Sequence, residues 1–213
     1  MYLNGSIVAY DGKKLTVEAP YEDVFTYIKK QLSQCEIRLD DGRTISADQR
    51  KKIYATFRDI SLYTGHPPEE VKAIMKYEYI VKTGSPYFSL SDVDMTTARE
   101  FLEFLIEWCV EWDIPTSDCL VDRSPDVARY LYCCLVHKKC CITGQKAELH
   151  HVDVVGGGRN RKEIVHKGMR VLPLTRKLHT EAHTIGQPAF DRKYHVFGIK
   201  LDDDLCRIWR LKS

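Results

Sequence analysis

The chain has 213 residues, 44% of them hydrophobic and 29% charged, with a formal net charge of +2. This is an ordinary soluble composition with enough apolar material for one large domain or two small ones. No run of about 18 apolar residues exists to cross a membrane, and Met1-Tyr2-Leu3-Asn4-Gly5 lacks the basic and apolar regions of a signal peptide, so the expectation is a cytoplasmic protein with no membrane partner.

Ser6–Tyr10 and Lys14–Glu18 flank Asp11-Gly12, a strong hairpin signal. Residues 21–34 carry Val24, Tyr27, Ile28 and Leu32 at helical spacing, and Glu36–Leu39 resembles a strand. Ser46 is placed to cap a helix through about Tyr63, with Ile53, Phe57 and Ile60 on one face and Gly65 as its stop. Pro67-Pro68-Glu69-Glu70 opens a short helix over about 68–77, and Thr83–Ser91 reads as a loop. Thr96 or Thr97 is the expected cap of a long helix through about Trp112, whose stripe of Phe101, Leu105, Trp108, Cys109 and Trp112 is core material.

Residues 114–125 are rich in Pro, Ser, Thr and Asp and mark the expected domain boundary. Asp126–His137 reads as a connecting helix. Beyond it, Ala147–Val152 and Met169–Leu174 read as strands, separated by a loop with Gly156-Gly157-Gly158. Thr175–Ile185 reads as a helix, followed by one near 188–194 and a short element near 203–210. The division is therefore 1–115, a linker and connecting helix over 116–137, and a compact strand–loop–strand–helix unit over 138–213.

Cysteines stand at 35, 109, 119, 133, 134, 140, 141 and 206, without an intact pair of C-x-x-C motifs. In a reducing compartment they are mostly small buried hydrophobes. From Arg159 to Lys177, Lys and Arg recur with a single acid, Glu163. Such a stripe suits a phosphate-binding surface, and equally a solvated loop.

The densest chemistry is histidine. His150, His151, His179 and His183 fall within 34 residues. On a helix, His179 and His183 project from one face. On a strand, His150 and His151 point to opposite sides. Three imidazoles, His150, His179 and His183, can thus hold one divalent cation with open positions, and His151 is left to take a proton from water. Mg, Mn, Ni or Zn are the candidate ions, since imidazole suits the later metals and availability favours the earlier ones. A closed zinc clip is the bland alternative. His66, His137, His166 and His195 lack such partners and read as ordinary residues, with His166 singled out only by its place in the loop.

These residues resemble the HNH, or ββα-metal, nuclease family. The resemblance rests on Glu148-Leu149-His150-His151-Val152, the Gly-rich loop, Val171-Leu172-Pro173-Leu174 and His179-Thr180-Glu181-Ala182-His183, over roughly 138–186. It implies a phosphodiesterase in which His150, His179 and His183 bind metal and His151 is the general base. The family's middle asparagine falls near Arg170, which could brace the loop or contact phosphate, so the candidate catalytic residues are His151 and Arg170. Where many members carry two C-x-x-C pairs, this chain has Cys140, Thr143, Thr175 and Leu178, so no structural zinc is expected. Arg159, Arg161, Lys162, Arg176 and Lys177 border the site as candidate DNA contacts.

Ile45–Tyr54 and Met95–Trp112 are also similar to parts of the phage NinB-type recombination proteins, over about 1–115. That resemblance implies single-stranded DNA binding, help with strand exchange, and dimers. The whole chain resembles HNH nuclease proteins encoded in phages of Gram-positive bacteria. The expectation is an α+β protein: an N-terminal mixed α/β DNA-binding-like domain followed by a ββα-metal (HNH) nuclease domain. Its partner would be single-stranded, branched or duplex DNA, with paired cuts favouring a homodimer. The rivals are a recombination mediator that binds single-stranded DNA without cutting it and a zinc-stabilised interaction protein.

Overall fold

A computed structural model of the chain describes residues 5–20, 29, 37, 42–153 and 165–212. Apart from Lys29 and Ile37, the expected helix over 21–34 and strand over Glu36–Leu39 lie outside the described residues. The expected hairpin is present: β1 (Ser6–Tyr10) and β2 (Leu15–Glu18) pair antiparallel, with a bulge between Ile7 and Ala9. Asp11 closes the turn by accepting from the backbone N–H of Lys13 (2.8 Å) and Lys14 (2.6 Å).

Three helices follow. Helix α1 (Ala47–Thr64) starts in a reciprocal cap: Gln49 N–H donates to Ser46 Oγ (3.1 Å), and Ser46 N–H donates to Gln49 Oε1 (2.9 Å). Helix α2 runs over Pro68–Thr83, longer than the sequence pattern suggests. Val71, Met75 and Tyr79 continue one buried stripe past residue 77, and the first residue able to end it is Gly84. Tyr79 packs edge-on against Phe88, Phe101 and Phe104, with ring centres 5.3–5.8 Å apart. Helix α3 (Met95–Glu111) is capped by Asp94, not by Thr96 or Thr97: the Asp94 carboxylate accepts from Thr97 N–H (2.8 Å). Its buried face is wider than the expected stripe, taking in Leu102, Ile106 and Val110, while Trp112 is exposed.

Residues 116–137 are packed against both halves of the molecule. Helix α4 (Leu120–Arg123), which periodicity is too short to reveal, buries Leu120, Val121 and Arg123. Helix α5 (Val127–His137), capped by Asp126, buries Tyr130, Leu131, Cys134 and Leu135. One apolar cluster consequently runs unbroken from Ile45 on the N-terminal side to Val196.

The C-terminal part is a three-stranded antiparallel sheet with helices around it. Strand β3 (Glu148–His151) pairs with β4 (Arg170–Leu174), His150 opposite Leu172 and His151 opposite Val171. A short strand β5 (Ile199–Lys200) adds to the other edge of β4. Gly198 leads into it where a Cβ would stand 2.8 Å from Arg170 Cβ and 2.9 Å from Val152 Cγ2, so only glycine fits. Alternation along β4 splits the packing. Leu172 and Leu174 join the main core, while Val171 joins a smaller cluster with Leu135, Leu201, Leu205 and Cys206. Helices α6 (Arg176–Ile185), α7 (Gln187–Tyr194) and α8 (Asp203–Trp209) complete an α+β architecture.

Candidate metal centre

Strand β3 and helix α6 bring the three histidines together. Only one residue, Thr175, separates β4 from α6, so the helix folds back directly beside the sheet. Leu178 and Ala182 are its buried anchors. His179 and His183 lie one position further round, and both meet His150. The ring centres are 4.6 Å apart for His150–His179, 4.9 Å for His150–His183 and 5.0 Å for His179–His183. One nitrogen from each ring lies within 4.8 Å of the others, the single such ligand group among the described residues.

Hydrogen bonding selects which nitrogen each ring offers. His150 is 2% exposed. Gln187 donates its amide N–H to Asp191 Oδ1 (2.6 Å), so its carbonyl faces His150 Nε2 (2.8 Å) and must accept from it. The proton of His150 is thereby held on Nε2, and the lone pair sits on Nδ1. That Nδ1 is buried and has no hydrogen-bond partner. A buried acceptor without a donor is costly, and a divalent cation among three imidazoles satisfies it. Burial is the main cause holding the His150 pKa below its ordinary value, and the neighbouring His179 and His183 add to it. This favours the neutral ring that a metal requires.

His179 is oriented in the same way. Its Nδ1 lies 3.3 Å from Glu148 Oε2, while Glu148 Oε1 takes Arg176 Nε at 2.9 Å. Glu148 precedes His150 by two residues and so shares its face of the strand. A carboxylate behind a ligating imidazole fixes its tautomer and raises its basicity. His183 is exposed, the open side of the cluster.

His151 occupies the opposite face of β3, as alternation requires. It is half-buried, and its Nε2 lies 3.0 Å from Nδ1 of His166. His166, singled out in the sequence only by its place in the loop, is thus in contact with the candidate base, a contact that no local spacing could reveal. Burial is the largest cause lowering the His151 pKa, followed by the charges of His166 and His150.

Arg170 sits at the start of β4 and clasps Asp153 just beyond β3. Its Nε and Nη2 donate to Asp153 Oδ1 (3.0 and 2.7 Å), and its backbone N–H donates to Oδ2 (2.6 Å). The loop between the strands is thus closed at its base by a forked ion pair. Of the candidate DNA contacts, Arg176 and Lys177 are exposed on the first turn of α6, the former engaged with Glu148. Arg159, Arg161 and Lys162 lie outside the described residues.

The supporting residues that only the structure brings out are Gln187, Asp191 and Glu148 behind the candidate ligands, and Asp153 behind Arg170. Gln187 and Asp191 are spaced i, i+4 just after Gly186, whose φ of +80° ends α6 and turns α7 back towards His150. That spacing is a weak signal on its own. The seven described cysteines are all free and none is fully exposed. Burial pushes the Cys109 and Cys133 thiols up to about 12, so they are inert packing groups.

A family model described as "Putative HNHc nuclease" matches residues 13–212 of this chain. No curated protein and no solved structure gives a significant match.

Proposed function

The chain belongs to this family of HNH nucleases, and from that premise we propose that it is a metal-dependent DNA endonuclease acting in phage recombination or genome processing. The observation that carries the reading is the buried, unpartnered Nδ1 of His150 inside a cluster of three histidines. His150, His179 and His183 would hold one divalent ion, whether Mg, Mn, Ni or Zn. When bound, that ion supplies positive charge to the phosphoryl oxygens and to the 3′-oxygen that departs.

The rest is the work of the chain. His151 takes the proton of the attacking water. If its Nε2–H donates to His166 Nδ1, its own Nδ1 lone pair faces outward as the accepting atom. His166 then positions the base and spreads the charge it acquires. The new bond joins the water oxygen to phosphorus, the bond from phosphorus to the 3′-oxygen breaks, and a proton reaches that oxygen from solvent. Arg170 braces the loop through Asp153 in place of an asparagine amide. Arg176 and Lys177, with Arg159, Arg161 and Lys162, would hold the phosphates either side of the cut.

In this reading residues 138–213 cut, and residues 1–115 deliver single-stranded or branched DNA through the packed segment 116–137. A homodimer would suit paired cuts. The test is a cleavage assay on single-stranded, duplex, flapped and four-way-junction DNA with Mg²⁺, Mn²⁺, Ni²⁺, Zn²⁺ or EDTA, beside His151→Ala. Cutting that needs metal and falls in the variant is the expected result. DNA binding without cutting in every metal would leave a recombination mediator.

A further inference from the structure

A second polar site lies in the N-terminal half. Helices α1 and α2 and the segment before α3 border a cleft of about 370 Å³, lined by Arg50, Tyr54, Lys72, Lys76, Tyr87 and Ser91 among others, with no acidic residue among the described residues of its lining. We propose that this cleft binds single-stranded DNA, holding phosphate on its cations and stacking a base on Tyr87.

Lys76 is the first reason. It is only 7% exposed, yet no carboxylate or hydrogen-bond acceptor pairs with it among the described residues. Its ammonium lies instead 4.1 Å from the centre of the Tyr87 ring and 5.0 Å from that of Phe88. The side chain is buried while its ammonium still reaches solvent, held against the aromatic faces. This leaves three N–H donors to be used by an acceptor from outside. Arg50 is the second reason. Two backbone carbonyls fix its guanidinium, Nε donating to Leu90 O (3.1 Å) and Nη2 to Ser91 O (2.9 Å). Its positive charge is thus set in place without a carboxylate among the described residues to neutralise it. Lys72 adds a third cation, 3.3 Å from the exposed Glu69 carboxylate and 5.7 Å from the Tyr54 ring. An exposed pair of this kind is weak and readily exchanged for phosphate.

The aromatic residues decide the class of ligand. Tyr87 is 81% exposed and Tyr54 38% exposed, so neither serves as core. Cations interleaved with exposed rings suit the phosphates and unpaired bases of a single strand, since a duplex hides its base faces. The cleft lies at the small end of ligand-site volumes, which fits one nucleotide unit and not a duplex.

The choice of DNA rests on the nuclease reading, and binding is measured apart from cutting. The full chain carrying His151→Ala is titrated in EDTA against fluorescein-labelled oligothymidylate, read by anisotropy. Added Tyr87→Ala should weaken binding at least about fivefold. Added Lys76→Met should weaken it and lower the salt slope by about 0.7. Because Tyr87 is exposed, its removal tests the site even if Lys76→Met melts early. Binding unchanged by both substitutions overturns the proposal. So does displacement by polyglutamate as effective as by unlabelled oligothymidylate, or an equal loss for duplex. If the wild type cuts DNA while the cleft variants bind like their parent, the cleft falls alone. If binding depends on the cleft but the wild type cuts nothing in any metal, the nuclease reading falls and the cleft stands.

Discussion

Two buried polar clusters in this molecule are built differently. At the seam of α1 and α4, Arg123 is 2% exposed and lies between Asp59 (2.7 Å to Oδ2) and Asp118, with Nη1 donating to Thr56 (3.1 Å) and Nη2 to Ser117 (3.0 Å). Asp59 Oδ2 lacks a well-angled hydrogen bond, but its charge partner is in contact. At the seam of β3 and α6, His150 is equally buried, and its Nδ1 has no hydrogen-bond partner among the described residues. The first cluster also leaves Arg123 Nε without a hydrogen bond among the described residues, but its charges are paired within the protein, and it holds residues 117–123 to α1. The second is complete on one side only, through Gln187 and Asp191, and open on the other. Burial alone does not distinguish a structural polar group from a site. What does is whether its partners lie within the chain.

That contrast can be broken in four places. The largest effect is expected at His151→Ala, with cleavage falling about 10²- to 10⁴-fold in a single-turnover assay while thermal unfolding stays near that of the wild type. Arg123→Met should do the reverse. Leaving Asp59 buried without its cation costs about 3–5 kcal/mol by urea unfolding, with the residual folded protein still binding metal. Gln187→Ala should weaken metal affinity about 10- to 100-fold by calorimetry, because His150 loses the group that holds its proton on Nε2. The smallest effect is at Arg170. Its hydrogen bonds hold the Asp153 carboxyl below the ordinary carboxylate range. A depressed folded-state pKa stabilises above the unfolded value and is lost as pH falls through the folded one. Arg170→Ala keeps the backbone N–H bond but loses the guanidinium, so it should raise the Asp153 titration, read by carboxyl NMR, towards its ordinary value and reduce that acid-side contribution.

Most of the histidine cluster was legible because its candidate ligands obey short-range geometry. Adjacent histidines on a strand must diverge, and histidines four apart on a helix must converge, so His150, His179 and His183 could be grouped before any fold was known. The contacts of His166 with His151 and of Asp153 with Arg170 were not legible, because they join residues 15 and 17 positions apart. Gln187 and Asp191 were hidden for another reason: their role depends on the turn at Gly186, and an amide four residues before a carboxylate is common on any helix. In the N-terminal half the hairpin, the Ser46 cap and the Gly65 stop follow from local chemistry. The length of α2 does not, because Tyr79 extends it through contacts with Phe88, Phe101 and Phe104 that are distant in sequence. Likewise the Pro- and Ser-rich stretch near 116 reads as a loose boundary, yet Arg123 fastens it to α1.

The most direct test of the account is a calorimetric titration of Zn²⁺ or Mn²⁺ into the wild type, His151→Ala and His150→Ala. One ion should bind to the wild type and to His151→Ala, and none to His150→Ala. A wild type that binds no ion, or a His150→Ala protein that binds one as tightly, would contradict it.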